Sequence, residues 1–187
     1  MSTTHKLNLG CGNKRLPGFV NVDKFGDPEL RWDLEVFPWP WEDNSVSEVH
    51  LTHVLEHLGA TTESYLSIIK ELYRICQSNA LLQIVVPHPR HDDFINDPTH
   101  VRAITPANLA LFSKHWNRIW IENGASNTPL GVYLDVDLEI TNVTNALDEP
   151  WASRHQNRQI SDAELMQASM QFNNVIKEMK IEVRIKK

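Results

Sequence analysis

Two glycines and a carboxylate carry the first chemical signal in this chain. The run Leu7-Asn8-Leu9 ends in Gly10-Cys11-Gly12. A second short run, Phe19 to Val22, ends in Asp23, eleven positions after Gly12. Glycine has no Cβ, so the backbone can turn sharply there and a ligand can come close. A carboxylate at the tip of a neighbouring strand accepts hydrogen bonds from ribose hydroxyls. The pattern predicts a nucleoside-containing cofactor across the ends of adjacent parallel strands. The competing account is an ordinary strand-end turn followed by a solvated acid.

A second group follows the apolar run Val46 to Thr52: His53-Val54-Leu55-Glu56-His57. Histidine titrates near neutral pH and is the commonest general base. On one helical turn, His53, Glu56 and His57 would also stand together as metal ligands. The same letters fit the inverted zinc-peptidase signature His-x-x-Glu-His, which makes a zinc hydrolase an alternative. That motif needs an established helix and a distant third ligand, whereas here an apolar strand precedes it directly. A plainer account has Glu56 and His57 only pinning the following turn.

A third group, His88, His91, Asp92, Asp93, Asp97 and His100, crowds thirteen residues after the apolar run Leu81 to Val86. In open α/β sheets ligands lie beyond the carboxyl ends of the strands. The loop is therefore expected to shape a substrate pocket. His88, His91 and Asp97 are expected to bind substrate, with His100 as a second base or a further metal ligand. A polar surface loop with capping acids is the alternative.

The elements that must position these groups can be read from periodicity. Strands are expected at Lys6 to Leu9, Phe19 to Val22, Arg31 to Val36, Val46 to Thr52 and Leu81 to Val86, the last buried on both faces. Thr61 or Thr62 caps a helix to about Gln77, with Tyr65, Leu66, Ile69, Leu72, Tyr73 and Cys76 as its apolar face. Thr105-Pro106 opens a helix reaching about His115. The alternation of Val132, Leu134, Val136, Leu138 and Ile140 predicts a strand. Ser161 and Glu164 form a capping-box pattern. Leu165, Ala168, Phe172, Val175 or Ile176, and Met179 follow as a buried stripe. Ile181 to Ile185 predicts a closing strand, and 116–131 and 141–160 are expected to be irregular. Strand-helix-strand alternation argues for an α/β sheet.

Bulk composition narrows the function classes. At 187 residues, 41% apolar and 22% charged, the chain suits one domain with a real core. A net charge of −6 provides no global basic field, so nucleic acid is an unexpected partner. Cys11 and Cys76 make no disulfide framework, which fits a reducing, cytoplasmic setting. The opening residues have no apolar signal core, and no run reaches membrane-spanning length, so no membrane partner is expected. Trp39 and Trp41 are expected as walls of the cofactor pocket.

The stretch Leu7 to Gly12, then Leu16-Pro17-Gly18-Phe19-Val20-Asn21-Val22-Asp23, resembles the class I S-adenosylmethionine-dependent methyltransferases. It is most similar to a small bacterial and phage group of predicted methyltransferases. The resemblance continues through Asp33-Leu34, Phe37-Pro38-Trp39 and His53 to Leu58; it is specific from residue 6 to about 105 and loose beyond. It implies a Rossmann-like doubly wound α/β sheet, mostly parallel with a closing antiparallel strand. It implies a single domain, 1–187, with an acceptor-side loop around 87–105 and a variable region at 116–160. It implies S-adenosylmethionine as cofactor, contacted by Leu9, Gly10, Cys11, Gly12, Asp23, Asp33, Leu34, Thr52 and His53. Asp33 would reach the adenine, with Glu35 and Asp43 as nearby alternatives. His53, His57 and His100 would be catalytic beside the methyl group.

His53, Glu56 and His57 also resemble the Glu-x-x-Glu-His metal site of the ubiquinone-biosynthesis and small-RNA O-methyltransferases, with His53 in place of the first Glu and His100 as a candidate fourth ligand. A divalent metal is compatible with this set but is not expected. The reaction implied is methyl transfer to an oxygen or nitrogen of a small-molecule or sugar acceptor. A non-catalytic cofactor-binding module is the alternative. Two departures stand out: Lys14 replaces the usual third glycine, and the segment from Gly12 to Asp23 is too short for a full helix. The first crossover must therefore be a loop or single turn, leaving one side of the cofactor pocket less covered.

Overall fold

The computed structural model describes residues 4–187. Seven strands form one sheet: β1 His5–Leu9, β2 Val20–Asp23, β3 Leu30–Arg31, β4 Val46–Thr52, β5 Cys76–Pro87, β6 Leu138–Leu147 and β7 Ile176–Ile185. Their spatial order is β3-β2-β1-β4-β5-β7-β6. Pairing is parallel from β3 across to β5. Strand β7 runs antiparallel to both of its neighbours. This is the mostly parallel Rossmann-like sheet with a closing antiparallel strand that the sequence led us to expect.

The β4–β5 crossover is helix α1, Thr62–Ile75, opened by the Thr61 hydroxyl accepting the Ser64 N–H. Its buried stripe is Tyr65, Ile68, Ile69, Leu72 and Ile75. These share one core with Leu7, Leu9, Val49, Leu51, Leu82 and Ile84 from alternate positions of β1, β4 and β5. Leu66 and Tyr73, expected in that face, lie at its half-buried rim, and Ile68 takes the central place.

The β1–β2 crossover is a helix-free loop, as its length requires. Cys11 N–H donates to Val22 O at 3.0 Å. The Asn8 amide donates to Asn21 Oδ1 at 2.7 Å and to Lys14 O at 2.8 Å. The β2–β3 and β3–β4 links also lack helices. The sheet face away from α1 is correspondingly polar and half-exposed. Lys6, Glu48, His50, Gln83, Lys180 and Glu182 project from it. Lys6 pairs with Glu48 at 2.8 Å, and Glu48 with His50 at 2.8 Å.

Several expected elements differ. The third strand was expected over Arg31 to Val36, yet only Leu30–Arg31 pairs. Beyond it Asp33 Oδ1 accepts the Glu35 N–H and Val36 N–H turns back to Asp33 O, so a local turn outcompetes the ladder. Strand β5 is not buried on both faces: Gln83 interrupts the apolar run, and Leu81 and Val85 are half-exposed. The helix expected from Thr105 to His115 breaks. Helix α2, Pro106–Ala110, stops before buried Phe112, and Ser113 caps a new helix, α3, Lys114–Glu122.

The strand expected from Val132 begins only at Leu138. Residues Leu130–Tyr133 form a single helical turn, because Gly131 packs against the Phe112 carbonyl, where a Cβ would come within 2.8 Å. The regions expected to be irregular contain most of α3, most of β6 and a short helix, Trp151–Gln156. The helix Asp162–Gln171 has the expected Ser161/Glu164 capping box but ends at exposed Phe172. Met179 belongs instead to β7, whose inward set is Met179, Ile181, Val183 and Ile185.

Candidate functional site

Strand ends β1, β2 and β4 converge on a cavity of about 180 Å³ lined by Gly10, Asp23, Asp33, Leu34, His53 and His57, among others. Gly10 has φ +64°, and a Cβ there would stand 2.4 Å from Val54 Cγ2. The glycine is thus required by both conformation and space. Asp23 Oδ2 accepts the Gly12 N–H at 2.8 Å and Oδ1 accepts the Phe25 N–H at 2.9 Å. These two bonds fix the carboxylate at the cavity wall while leaving it further lone pairs. A second hollow of about 450 Å³ shares Gly10 and His53 with the first and is lined also by Cys11, Gly12, Lys14, His50 and Thr52 among others.

The expected cofactor residues divide between these two spaces, except Leu9, which is fully buried behind them. Asp33 lines the cavity, whereas Asp43 pairs with Arg74 at 2.8 Å and Glu35 accepts the Gly59 N–H at 2.9 Å. Burial raises the Cys11 thiol above its ordinary range. Trp39 and Trp41 do not form cavity walls. Both are buried in the core edge-to-face, and the Trp39 indole N–H donates to Leu34 O at 3.1 Å. The tryptophan lining the cavity is Trp32.

The His-x-x-Glu-His segment does not form an α-helix. Only Leu55–His57 make a 3-10 turn, and His53 precedes it at φ +53°. The His53 imidazole is bracketed by carboxylates. Its Nε2 lies 2.7 Å from Glu178 Oε2 and its Nδ1 3.4 Å from Glu56 Oε1. Glu56 and then Glu178 raise the imidazole above its ordinary range against the opposing effect of burial. His53 and His57 therefore do not present themselves as the ligand pair that the zinc-peptidase reading needs.

His57, Glu56 and His100 do converge, offering ligand atoms within 4.8 Å of one another. The two rings lie 4.5 Å apart between centroids. His57 Nδ1 lies 2.9 Å from Thr99 Oγ1, and His100 Nδ1 lies 2.8 Å from Phe94 O. The Glu56 side chain is fully buried, and among the described residues neither carboxylate oxygen has a hydrogen-bond partner.

His88, His91 and Asp97 line neither hollow. His91 is buried: its Nδ1 accepts the Asp93 N–H as the cap of a short helix, Asp92–Ile95, and its Nε2 meets Asp148 Oδ2 at 3.0 Å. His88 Nδ1 accepts the Arg90 N–H, and burial followed by the Arg90 charge lowers its pKa. Asp97 accepts both the Thr99 N–H and the Thr99 hydroxyl. It thus supports His57 at one remove. Glu178 was missed at the sequence level. It reaches His53 only because β7 lies beside β5, 125 residues along the chain. No local pattern signals it.

No family model matches the sequence, and no curated protein matches it. Solved structures do match the fold. A SAM-dependent methyltransferase from Archaeoglobus fulgidus superposes with a TM-score of 0.58 at 17% identity, over 97% of this chain and 86% of that one. One from Methanosarcina mazei gives 0.54 at 12% identity, over 98% and 93%. The Burkholderia thailandensis 1,6-didemethyltoxoflavin-N1-methyltransferase, with 1,6-didemethyltoxoflavin and S-adenosylhomocysteine bound, gives 0.54 at 10% identity, over 99% and 72%. With its 3-2-1-4-5-7-6 sheet, this chain has the class I S-adenosylmethionine-dependent methyltransferase fold. Among the described residues no helix is long and apolar enough to cross a membrane.

Proposed function

We propose that the protein is an S-adenosylmethionine-dependent methyltransferase acting on an oxygen or nitrogen of a small-molecule or sugar acceptor. The observation that carries this reading is the cavity joining Gly10, Asp23 and Asp33, with Asp23 already held by the Gly12 N–H. Asp23 suits the ribose hydroxyls, Asp33 with Leu34 suits the adenine, and the Gly10-Cys11-Gly12 loop suits close approach by the amino-acid part. The toxoflavin enzyme in this fold has 1,6-didemethyltoxoflavin bound together with S-adenosylhomocysteine. The acidic chain favours such an acceptor over a nucleic-acid backbone.

Methyl transfer from a sulfonium needs alignment above all, since the cationic sulfur is already a good leaving group. His53 stands at the junction of the two hollows with 42% of its side chain exposed. There it can hydrogen-bond an acceptor and fix its approach. His53→Ala should lower turnover by about 10²-fold, the scale of loss when reacting groups are misaligned by about an ångström. It should change S-adenosylhomocysteine affinity little, and single-turnover rates beside calorimetry separate the two effects.

The reading itself is tested by calorimetry with S-adenosylmethionine, S-adenosylhomocysteine and NAD. The first two should bind and NAD should not, because the helix-free first crossover offers no helix N-terminus to a pyrophosphate. NAD binding without any response to the methyl donor would reverse the assignment.

A further inference from the structure

We propose that Glu56, His57 and His100 form a binding site for one divalent cation of the zinc or manganese type, placed to hold an oxygen of the acceptor. The ion site stands on its own geometry; the acceptor part rests on the methyltransferase reading.

The first observation is the Glu56 carboxylate. It is fully buried, and both oxygens lack a hydrogen bond. An ionised carboxylate stripped of water and left unpartnered is strongly unfavourable, so such groups are neutralised by a proton, a paired charge or a metal. The nearest cation is the His53 ring, which Glu56 shares with Glu178: Nδ1 lies 3.4 Å from Glu56 Oε1, too long to satisfy that oxygen, while Nε2 meets Glu178 at 2.7 Å. Nor is the carboxylate needed to hold the turn. The Glu56 backbone carbonyl already does so by accepting the Val101 N–H at 2.9 Å.

The second observation is independent of the first. A carbonyl oxygen can only accept, so His100 Nδ1 carries the proton donated to Phe94 O. The Thr99 hydroxyl donates its one proton to Asp97 Oδ1 at 2.6 Å, so its oxygen accepts from His57 Nδ1–H. Each ring thus commits its Nδ1 proton outward and has Nε2 left to face an ion, with Asp97 Oδ2 3.8 Å from His100 Nε2. Outer hydrogen bonds of this kind orient metal-binding histidines and raise their basicity.

Donor chemistry then selects the ion. Two imidazoles and one carboxylate suit zinc, manganese or iron better than magnesium or calcium, which prefer all-oxygen surroundings. Donors within 4.8 Å can close on an ion at bond lengths of about 2.0–2.2 Å with small ring rotations. Three protein ligands leave coordination positions for an outside ligand. His57 belongs both to this cluster and to the wall of the cofactor cavity, so that ligand would lie beside the methyl group. An acceptor hydroxyl bound there loses its proton more readily. The proton passes to solvent and an oxygen pair forms the bond to the methyl carbon. The S–C pair returns to sulfur, releasing neutral S-adenosylhomocysteine. The site therefore narrows the acceptor from oxygen or nitrogen to oxygen.

The test uses the full chain stripped with chelator and titrated with Mn²⁺, followed by electron paramagnetic resonance, and with Zn²⁺, followed by calorimetry. One equivalent should bind. His57→Asn and His100→Asn should each weaken binding at least tenfold, and Thr99→Val, which removes the hydroxyl linking His57 to Asp97 but none of the three ligands, about tenfold. Glu56→Gln should weaken it likewise; should that buried substitution prevent folding, the histidine variants decide. Absence of stoichiometric binding, or affinities unchanged in both histidine variants, would overturn the site. S-adenosylhomocysteine is titrated in parallel. If it binds while the ions do not, only this proposal fails. If the ions bind while it does not, the cofactor reading fails and the ion site stands.

Discussion

Gly10→Ala should destabilise the protein by roughly 2–5 kcal/mol and abolish measurable S-adenosylhomocysteine binding. Two costs combine. Position 10 sits at φ +64°, a conformation that costs an L-residue about 1–2 kcal/mol. The new Cβ would also stand 2.4 Å and 2.8 Å from the two γ-carbons of Val54. Valine is stiff at χ1 and Val54 is buried, so it cannot swing aside, and overpacking of this kind costs about 1–3 kcal/mol. Because Gly10 and Val54 both line the cavity, the clash is relieved only by moving its wall. Urea unfolding and calorimetry measure the two effects. The double variant Gly10→Ala with Val54→Ala should recover the steric share but not the conformational one. A Gly10→Ala protein as stable as its parent would mean that Val54 does not press on the glycine.

Asp23→Ala should weaken S-adenosylhomocysteine binding by about 1.5–3 kcal/mol, the range for hydrogen bonds to a charged group, or roughly tenfold to a hundredfold. The carboxylate makes its two structural bonds to the Gly12 and Phe25 N–H groups on the protein surface, where water can replace it. The melting temperature should therefore fall far less than the affinity. An unchanged dissociation constant would reduce Asp23 to a brace for the glycine loop.

Strands β1, β2 and β4 and helix α1 were legible because their signals are local. Apolar runs end in Gly10 or Asp23, and a threonine cap precedes a run of three-to-four spacing. What the sequence hid was decided by distant neighbours. Val132 and Leu134 alternate like a strand, yet Gly131 docks on the Phe112 carbonyl and winds the segment into a turn. Met179 satisfies a helical spacing from Ala168 and a strand spacing within β7, and only the pairing with β5 settles which applies. In the site, the letters His53, Glu56, His57 and His100 were visible as a group, but their division was not. Glu178, from the far end of the chain, draws His53 aside and leaves the other three together. His91 looked like a pocket residue because its partner Asp148 lies 57 residues away.

The place of β7 between β5 and β6 has a consequence for how the molecule assembles. Among the described residues strand β6 pairs with nothing but β7, although it precedes β7 in the chain. As the polypeptide emerges during synthesis, β5 has an open edge and β6 has no sheet to join until residues 176–185 arrive. The pairing that ends this wait joins Leu81 to Arg184, a long-range closure of the kind that slows folding and leaves unpaired edges open to aggregation. The same strand carries Glu178 to His53. Completion of the sheet and pairing of His53 with Glu178 are therefore one event, and a chain stalled before it would leave that imidazole without its 2.7 Å partner.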